Sequence, residues 1–576
     1  MGDAGRQHGN AAIPYDPKDF AVENGRLLGR QSASASFIAG FARHARIDAL
    51  YCYANRQADA AQFASRALAA GGPERPVYWV PADSPQNLAE IGCLFVFHPR
   101  MREHAFLRRA IGQRAFSLCG IIHTLASQGG MDAVADWRIA PFQPWDALIC
   151  TSTAGRQAVE RQLAAVGAYL AERTGGRPPA LPRLETIPLG IDCAGFAHDP
   201  ASRAHWRQRF GIAEEDVAAL YLGRLSAHAK AHPEPMYMAL ERAARRTGRR
   251  LNLIQAGWFH NKGIERNFRE QAARLAPSVT MHFVTPLEGE TYRQIWSAAD
   301  FFLSLSDNIQ ETFGLTPVEA MAAGLPAVVS DWDGYRDTVR DGIDGFRIPT
   351  LAPGPGAGGD LALRHAIGMD RYDLYIGKAS KFVAVDIEAC AEACLRLIED
   401  AELRRRMGDA GQRRAREAFD WSVIVPAYQA LWAELAAIRQ GGSQTPEAAP
   451  ETMPVRPDAP HNPWRLDPFD QFAGYSALRL TPDFQVRLAA DGMAALDLAY
   501  ASPNTGFAAL ALPTAEEAAT LCRLLAETGE MRVLDLLMRL PAKRRPLLFR
   551  GLAWMAKYGV VILRPAQSLP GKAERP

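Results

Sequence analysis

The sequence is short of three things: net charge, paired cysteines and long apolar runs. Among its 576 residues, 65 Lys and Arg nearly balance 63 Asp and Glu, for a formal charge of +2. That balance excludes a protein dominated by a basic nucleic-acid-binding surface and leaves room only for local patches. Eight cysteines are scattered at 52, 93, 119, 150, 193, 390, 394 and 522, with no Cys-x-x-Cys pair. Several lie in apolar, strand-like runs, so they read as buried thiols of a reducing compartment rather than a disulfide or zinc framework. No apolar run approaches the ~20 residues of a membrane span. Residues 1–10 are polar and Gly-rich and lack the apolar core of a signal peptide. The expectation is a cytoplasmic protein whose membrane contact is at most peripheral, at the inner membrane face.

What is present is alternation. A chain this long calls for two or three domains. From residue 47 to 191, strand-like runs at 49–54, 77–80, 93–98, 117–123, 147–152 and 186–191 alternate with helical patterns such as 156–170. The pattern restarts with strands at 218–225, 251–257, 279–284, 301–306 and 327–330, and helices at 235–246, 292–299 and 317–323. Alternation of this kind predicts α/β units with mostly parallel sheets covered on both faces. Residues 351–360 are rich in Gly and Pro and open an expected irregular insertion to about 380. Helices resume at 387–400, 402–419 and 421–438.

Residues 440–463 are dense in Pro, Gly, Ser and acidic residues and read as a linker. Beyond it, Thr514 and Glu517 form a capping box opening a helix, followed by helices at 533–539 and 545–557, a Gly559 cap and a strand at 560–563. This order suggests a small winged-helix-like α+β domain. The expected domains are therefore 1–195 on the acceptor side, 196–385 for the nucleotide, closing helices 386–439 with the last packing back on the first domain, a linker at 440–464, and an accessory domain at 465–576. Two Rossmann-like units in tandem imply a cleft, with ligands beyond the C-terminal strand ends.

One segment at such a strand end concentrates the chemistry. Residues 304–324 read SLSDNIQETFGLTPVEAMAAG. A strand ends near Ser306, and a helix follows with Thr316 as the expected N-cap and Pro317 at the first helical position. Such a helix start presents unpaired N–H groups and a positive dipole end to phosphate or sugar hydroxyls. Gly314 leaves room for a ligand against the backbone. Glu311 and Glu319 flank the turn.

The spacing Glu311-x7-Glu319, with Phe313-Gly314-Leu315 inside it and Glu319-Ala-Met-Ala-Ala-Gly324 after it, resembles the family 4 retaining glycosyltransferases of the GT-B fold (glycosyl transferases group 1). The resemblance extends through Pro326-Ala-Val-Val-Ser330, Asp341-Gly-Ile-Asp-Gly345, Ile187-Pro-Leu-Gly-Ile-Asp192 and Gly223-Arg-Leu-Ser226, and covers about residues 25–438. It implies transfer of a sugar from a nucleotide-diphosphate donor to a glycan, lipid or protein acceptor, with retention, without metal and without a cofactor. By residue, it implies that Glu311 faces the reacting centre and that Glu319 bonds the ribose. Phe313, Gly314 and Leu315 would offer their backbone to sugar and phosphate, Arg224 and Lys230 would neutralise the diphosphate, and His123 would lie near the transferred sugar.

Each of these residues also has a plainer reading. Thr316 and Glu319 match a capping box, Arg224 and Lys230 could be solvated charges, and His123 a satisfied core histidine. The family's Pro-Glu-Lys-Gly segment is here Ser226-Ala-His-Ala-Lys-Ala231, and its first-domain Gly-Gly pair is reduced to Gly29 in the stretch 29–36, where Arg30 and the serines are only candidates for substitute donors. Asp331-Trp-Asp333 matches a metal-binding Asp-x-Asp but reads as a turn. His98 could meet acceptor or close its strand, and backbone near 284–286 is the expected base contact. Basic residues of the tail (Arg539, Lys543, Arg544, Arg545, Arg550, Lys557) read as a solvated face, with no nucleic acid expected, on a domain suited to docking a protein. The competing reading of the whole is a catalytically silent sugar-nucleotide-binding or scaffold protein with the same core.

Overall fold

The computed structural model describes residues 9–20, 29–177, 180–285, 289–441 and 462–566. Two compact units divide at residue 462. The larger holds two parallel sheets.

The first sheet contains β1 (Ala12–Pro14), β2 (Leu50–Ala54), β3 (Val77–Pro81), β4 (Cys93–Val96), β5 (Ser117–Ile121), β6 (Ala147–Cys150) and β7 (Arg183–Thr186). Its order is β3-β2-β1-β4-β5-β6-β7, and every pairing is parallel. Strands β4, β5 and β6 are buried at every position, as their unbroken apolar runs require of strands covered on both faces. Two expectations are corrected. Strand β1, which pairs with β2 on one side and β4 on the other, lies before the alternation expected to begin at residue 47; it is three residues long and ends in proline, too short to show a period. The strand expected at 186–191 is β7, ending at Thr186. Pro188 has no N–H to continue a ladder, and the chain beyond instead pairs Ile191 with the closing helices: Ile191 N–H donates to Phe419 O at 2.9 Å, and Trp421 N–H to Ile191 O at 3.1 Å.

The second sheet contains β8 (Val217–Leu222), β9 (Leu251–Ala256), β10 (Val279–Val284), β11 (Phe301–Ser304), β12 (Ala327–Ser330) and β13 (Gly345–Ile348), in the order β10-β9-β8-β11-β12-β13 and again parallel throughout. In both sheets the order reverses beside the first strand, so a crevice opens beyond its C-terminal end. This is the two-domain α/β architecture expected from the sequence. The insertion after β13 is not irregular. It holds the helices Gly359–Ala366 and Tyr372–Ser380 and is closed at its base by an antiparallel ladder pairing Thr350 with Val385 and Leu351 with Ala384. The Gly-rich composition stops at the first of these helices, and the residues beyond it favour helix. The helix expected at 292–299 is split into an α-helix, Gly289–Gln294, and a 3-10 turn, Ile295–Ala298.

The helix Trp421–Gln440 returns to the first sheet. Trp432 packs edge-on to Phe41 at 5.6 Å, Tyr428 edge-on to Phe95 at 5.3 Å, and Trp421 edge-on to Phe37 at 5.7 Å. The Trp421 indole also donates to Ser36 Oγ at 2.7 Å. A Cβ at Gly40 or Gly190 would fall 2.3 or 2.4 Å from that indole, so glycine at both positions is what lets it dock. All eight cysteines are buried and free. No helix among the described residues is long and apolar enough to cross a membrane.

The smaller unit carries a three-stranded antiparallel sheet in which Gln485–Leu488 lies between Met531–Arg532 and Val561–Arg564. Its helices include Gly492–Ala501, Ala515–Thr528, Val533–Met538 and Arg545–Lys557. The Thr514 capping box with Glu517 is present, and Gly559 has φ 72°. The central strand and the helix Gly492–Ala501 were not expected from the sequence. Of the tail's basic residues, Arg544 pairs with Glu517 and Arg550 donates to Ala511 O, so neither is a simply solvated charge. Most of the expected linker, 442–461, lies outside the described residues.

Candidate active site

A cleft of about 1080 Å³ lies beyond the strand ends of the two sheets. On the second-domain side its floor requires glycine. Gly223 follows β8 and Gly257 follows β9, at φ 152° and 154°, and a Cβ on Gly257 would fall 1.8 Å from Gly223 O. Only a residue without a side chain at 257 lets these strand ends come so close, while at 223 it is the positive φ that favours glycine. Arg224 and Trp258 follow these glycines and line the cleft.

Lys230 and Glu311 meet there in an ion pair, each side chain 18% exposed. Their loops are tied together. Asn308 Nδ2 donates to His228 O at 2.8 Å, Ser306 Oγ to Lys230 O at 3.4 Å, and His232 Nδ1 lies 2.7 Å from the buried Asp307 carboxylate. Burial alone would raise the Glu311 carboxyl, but the Lys230 charge and the N–H groups of Thr312 and Phe313 outweigh it and hold it below the ordinary range. Lys230 is held protonated, because Glu311 more than offsets its burial. Arg224 completes the cationic wall. Its Nη2 donates to Gln310 Oε1 at 2.7 Å and to Ala229 O at 3.0 Å, with the guanidinium 5.8 Å from the Trp258 ring centroid.

The turn after Glu311 differs from expectation in one respect. The helix is Leu315–Ala322 and its N-cap position is Gly314, not Thr316; no side chain caps it. Thr316 and Pro317 lie inside the first turn, and Gly324 ends the helix at φ 78°. Gly314 stands at φ 83°, and a Cβ there would lie 2.0 Å from the Tyr335 ring. Its missing side chain is thus required by Tyr335 packing and by the backbone. The N–H groups of the first turn still form the positive end of the helix dipole. Phe313 contributes only backbone to the cleft, since its ring is buried 6.1 Å from Phe419.

Because Thr316 is not the N-cap, Glu319 is not half of a capping box. Its carboxylate instead accepts from Tyr292 Oη at 2.6 Å. Burial pushes the Glu319 carboxyl up to about 7, partly opposed by that bond and by the Lys230 charge. Glu311, Glu319, Arg224 and Lys230, with the backbone from 313 to 316, thus converge on one cavity, and His123 and Thr124 line it from the first domain.

His98 does not line the cleft. Asp331 Oδ1 lies 3.5 Å from both Arg336 and Arg347, and Asp333 has φ 52°, the one positive φ among described non-glycine residues. That is a turn. Burial and the Glu311 charge raise the Asp333 carboxyl, an environment unsuited to an ionised ligand. Among the described residues no group of three or more His, Cys, Asp or Glu is placed to hold a metal ion. In the first loop, Gly29 begins the helix Gly29–His44, and the side chains of 29–32 lie outside the described residues, as does Pro286 of the expected base contact.

Sequence reasoning missed several cleft residues, among them Gln310, Tyr292 and Tyr372. Gln310 was passed over inside the motif. Tyr292 sits on a short helix with no periodic signal. Tyr372 lies in the insertion read as irregular; its hydroxyl is 3.4 Å from Thr124 Oγ1 across the cleft, and Ile376, one turn on, is buried against Ala126 and Ala229.

Residues 202–352 match the family described as Glycosyl transferases group 1. The D-inositol 3-phosphate glycosyltransferase of Geodermatophilus obscurus is 30% identical over 273 residues, 45% of this chain and 50% of that protein. Its namesake from Nocardia farcinica is 31% identical over 168 residues, 29% of this chain and 36% of that one. The chain thus spans half or less of the length of these curated relatives. The crystal structure of Anabaena HepE in complex with UDP aligns with 74% of this chain and 100% of its own at 17% identity, with a TM-score of 0.47.

Proposed function

We propose that this chain, whose residues 202–352 match the glycosyl transferases group 1 family, transfers a sugar from a nucleotide-diphosphate sugar, with retention and without a metal, to a glycan, lipid or protein acceptor in glycoconjugate or surface-polysaccharide assembly. The observation that carries this reading is the convergence of Arg224, Lys230, Glu311 and Glu319 on the start of the helix Leu315–Ala322 within one cleft.

The chemistry follows from where charge develops. Breaking the bond from the anomeric carbon to phosphate leaves positive charge on the sugar and negative charge on the diphosphate. Arg224, Lys230 and first-turn N–H groups meet the leaving charge as fixed cations and oriented dipoles, with little reorganisation. The arginine offers a planar fork and the lysine a point charge. Glu311, kept ionised by Lys230, bonds sugar hydroxyls and faces the cationic centre. Glu319 accepts from the ribose. The acceptor approaches from the side of His123, and its proton passes to the departing phosphate, so the new bond forms on the face that the leaving group vacates.

The test is a thermal-shift screen of the full chain across UDP-, GDP-, ADP- and dTDP-sugars, since a donor that binds only the folded state raises its melting temperature. The stabilising donor is then incubated with acceptors, D-inositol 3-phosphate among them, and the product's anomeric configuration is read by NMR. A retained configuration in the presence of EDTA is expected. Inversion, or a strict requirement for added divalent metal, would overturn the reading.

A further inference from the structure

The end of the cleft at Glu319 contains a residue with no part in the scheme so far. Tyr292 lies on the helix Gly289–Gln294 and lines the cleft with Glu319. Its hydroxyl donates to Glu319 Oε2 at 2.6 Å. The ring is held edge-on against Phe196 at 6.3 Å, and Phe196 in turn against Trp296 at 6.2 Å, so the phenol sits on a packed aromatic support. Burial and the nearby Glu319 charge keep the phenol protonated, which makes it a donor.

We propose that Tyr292 is a positioning residue: it holds one oxygen of Glu319 so that the other meets the donor's ribose hydroxyls, and the site thereby selects ribonucleoside over 2′-deoxyribonucleoside diphosphates. This rests on the reading of Glu319 as the ribose contact. A glutamate side chain can turn its carboxylate through many orientations, and ordering it on binding subtracts from affinity. A phenol anchored by packed rings removes that freedom before the nucleotide arrives. It also satisfies one oxygen of a buried carboxylate that has no other side-chain hydrogen bond among the described residues. A site built to bond a hydroxyl rejects the analogue without it, because a buried polar group is then left unpaired. UDP-, GDP- and ADP-sugars carry the 2′-hydroxyl; dTDP-sugars do not.

The experiment is calorimetry on the full chain with UDP, GDP and ADP and their 2′-deoxy counterparts. Wild type is compared with Tyr292→Phe, Glu319→Gln and the double variant, with thermal melts to confirm that each is folded. Wild type is expected to bind a ribonucleoside diphosphate at least about tenfold more tightly than its 2′-deoxy form. Tyr292→Phe reduces that ratio to about threefold or less by weakening the ribonucleotide, while the deoxy form stays within about twofold. The double variant matches Glu319→Gln, because the phenol acts only through the carboxylate. In turnover, Tyr292→Phe raises KM for donor and leaves kcat within about twofold. If Tyr292→Phe weakens both nucleotide forms equally, the phenol is a packing element and the inference is lost. It is also lost if wild type binds both forms alike. Failure of wild type to bind any of the six nucleotides would instead overturn the donor-site reading itself.

Discussion

Lys230 and Glu311 neutralise one another inside the cleft, each with less than a fifth of its side chain exposed. The carboxylate is the lysine's counter-ion; under the proposed function, a donor's diphosphate competes for the same ammonium. Glu311→Gln therefore separates two roles that a loss-of-function variant to alanine would merge. Removing the charge frees Lys230 for phosphate, so a nucleoside diphosphate is expected to bind as tightly as before or more so. Sugar transfer is expected to fall by roughly 100-fold or more, as when a group aimed at developing charge is lost. The bare variant should melt lower, because an unpaired buried cation costs about 3–5 kcal/mol at the extreme, and saturating nucleotide should restore part of that. Calorimetry and initial rates on the same preparation decide it; transfer within a few-fold of wild type would remove Glu311 from the reaction.

Arg224 is held by Gln310 and by Ala229 O, with its guanidinium near Trp258. Its fork is thus oriented before any phosphate arrives. Arg224→Ala is expected to weaken nucleoside-diphosphate binding by about 1.5–3 kcal/mol, the range for a charge-assisted bond. Arg224→Lys should recover only part of this, since an ammonium cannot present two parallel N–H groups. Unchanged affinity in Arg224→Ala would take the residue out of the phosphate site.

Glu319 gives the chain a pH signature. Burial lifts its carboxyl from an ordinary 4.5 to about 7. The folded chain then binds a proton that the unfolded chain has released between those two values, so this group's contribution to stability falls as pH rises through the window and is absent above it. Glu319→Gln has no such proton. Relative to wild type, the variant should gain stability on going from about pH 5 to pH 8, by at most on the order of 3 kcal/mol. Denaturant titrations of both proteins at several pH values measure the difference, and a difference flat across that range would contradict the assigned environment.

The parts of this molecule legible in the sequence are those written in continuous local signals. Strands β4, β5, β6, β8 and β12 are largely apolar runs buried at every position, and the closing helices carry long periodic patterns with aspartate caps at Asp386, Asp400 and Asp420. The stretch 304–324 was legible as a strand end, a loop and a helix because its residue types and spacing were specific. What escaped was written across distance. Strand β1 is too short to show a period and is defined by its neighbours β2 and β4. Gly314 reads as space for a ligand until Tyr335, 21 positions later in the chain, is seen to fill it. Thr316 has the right chemistry for an N-cap, but the left-handed turn at Gly314 starts the helix before it. Tyr292 and Tyr372 reach the cleft from a short helix and from an insertion, where tertiary contact alone gives them meaning.

Gly314 itself permits a test that separates backbone from packing. At φ 83° and ψ 90° a side chain is strained whatever its surroundings, and the Tyr335 ring occupies the place a Cβ would take. Gly314→Ala is therefore expected to destabilise the chain by about 2 kcal/mol or more, from strain and overlap together. Tyr335→Ala removes the obstacle and leaves the strain, at the cost of a buried ring and its 3.0 Å hydroxyl contact with Ser304 Oγ. In a double-mutant cycle the two changes should together destabilise less than their sum, by about 1 kcal/mol or more, because the clash is counted only when both groups are present. Denaturant midpoints with an unchanged slope report these differences. Strict additivity would mean that the glycine is demanded by φ alone, and that the ring of Tyr335 rests against the turn without shaping it.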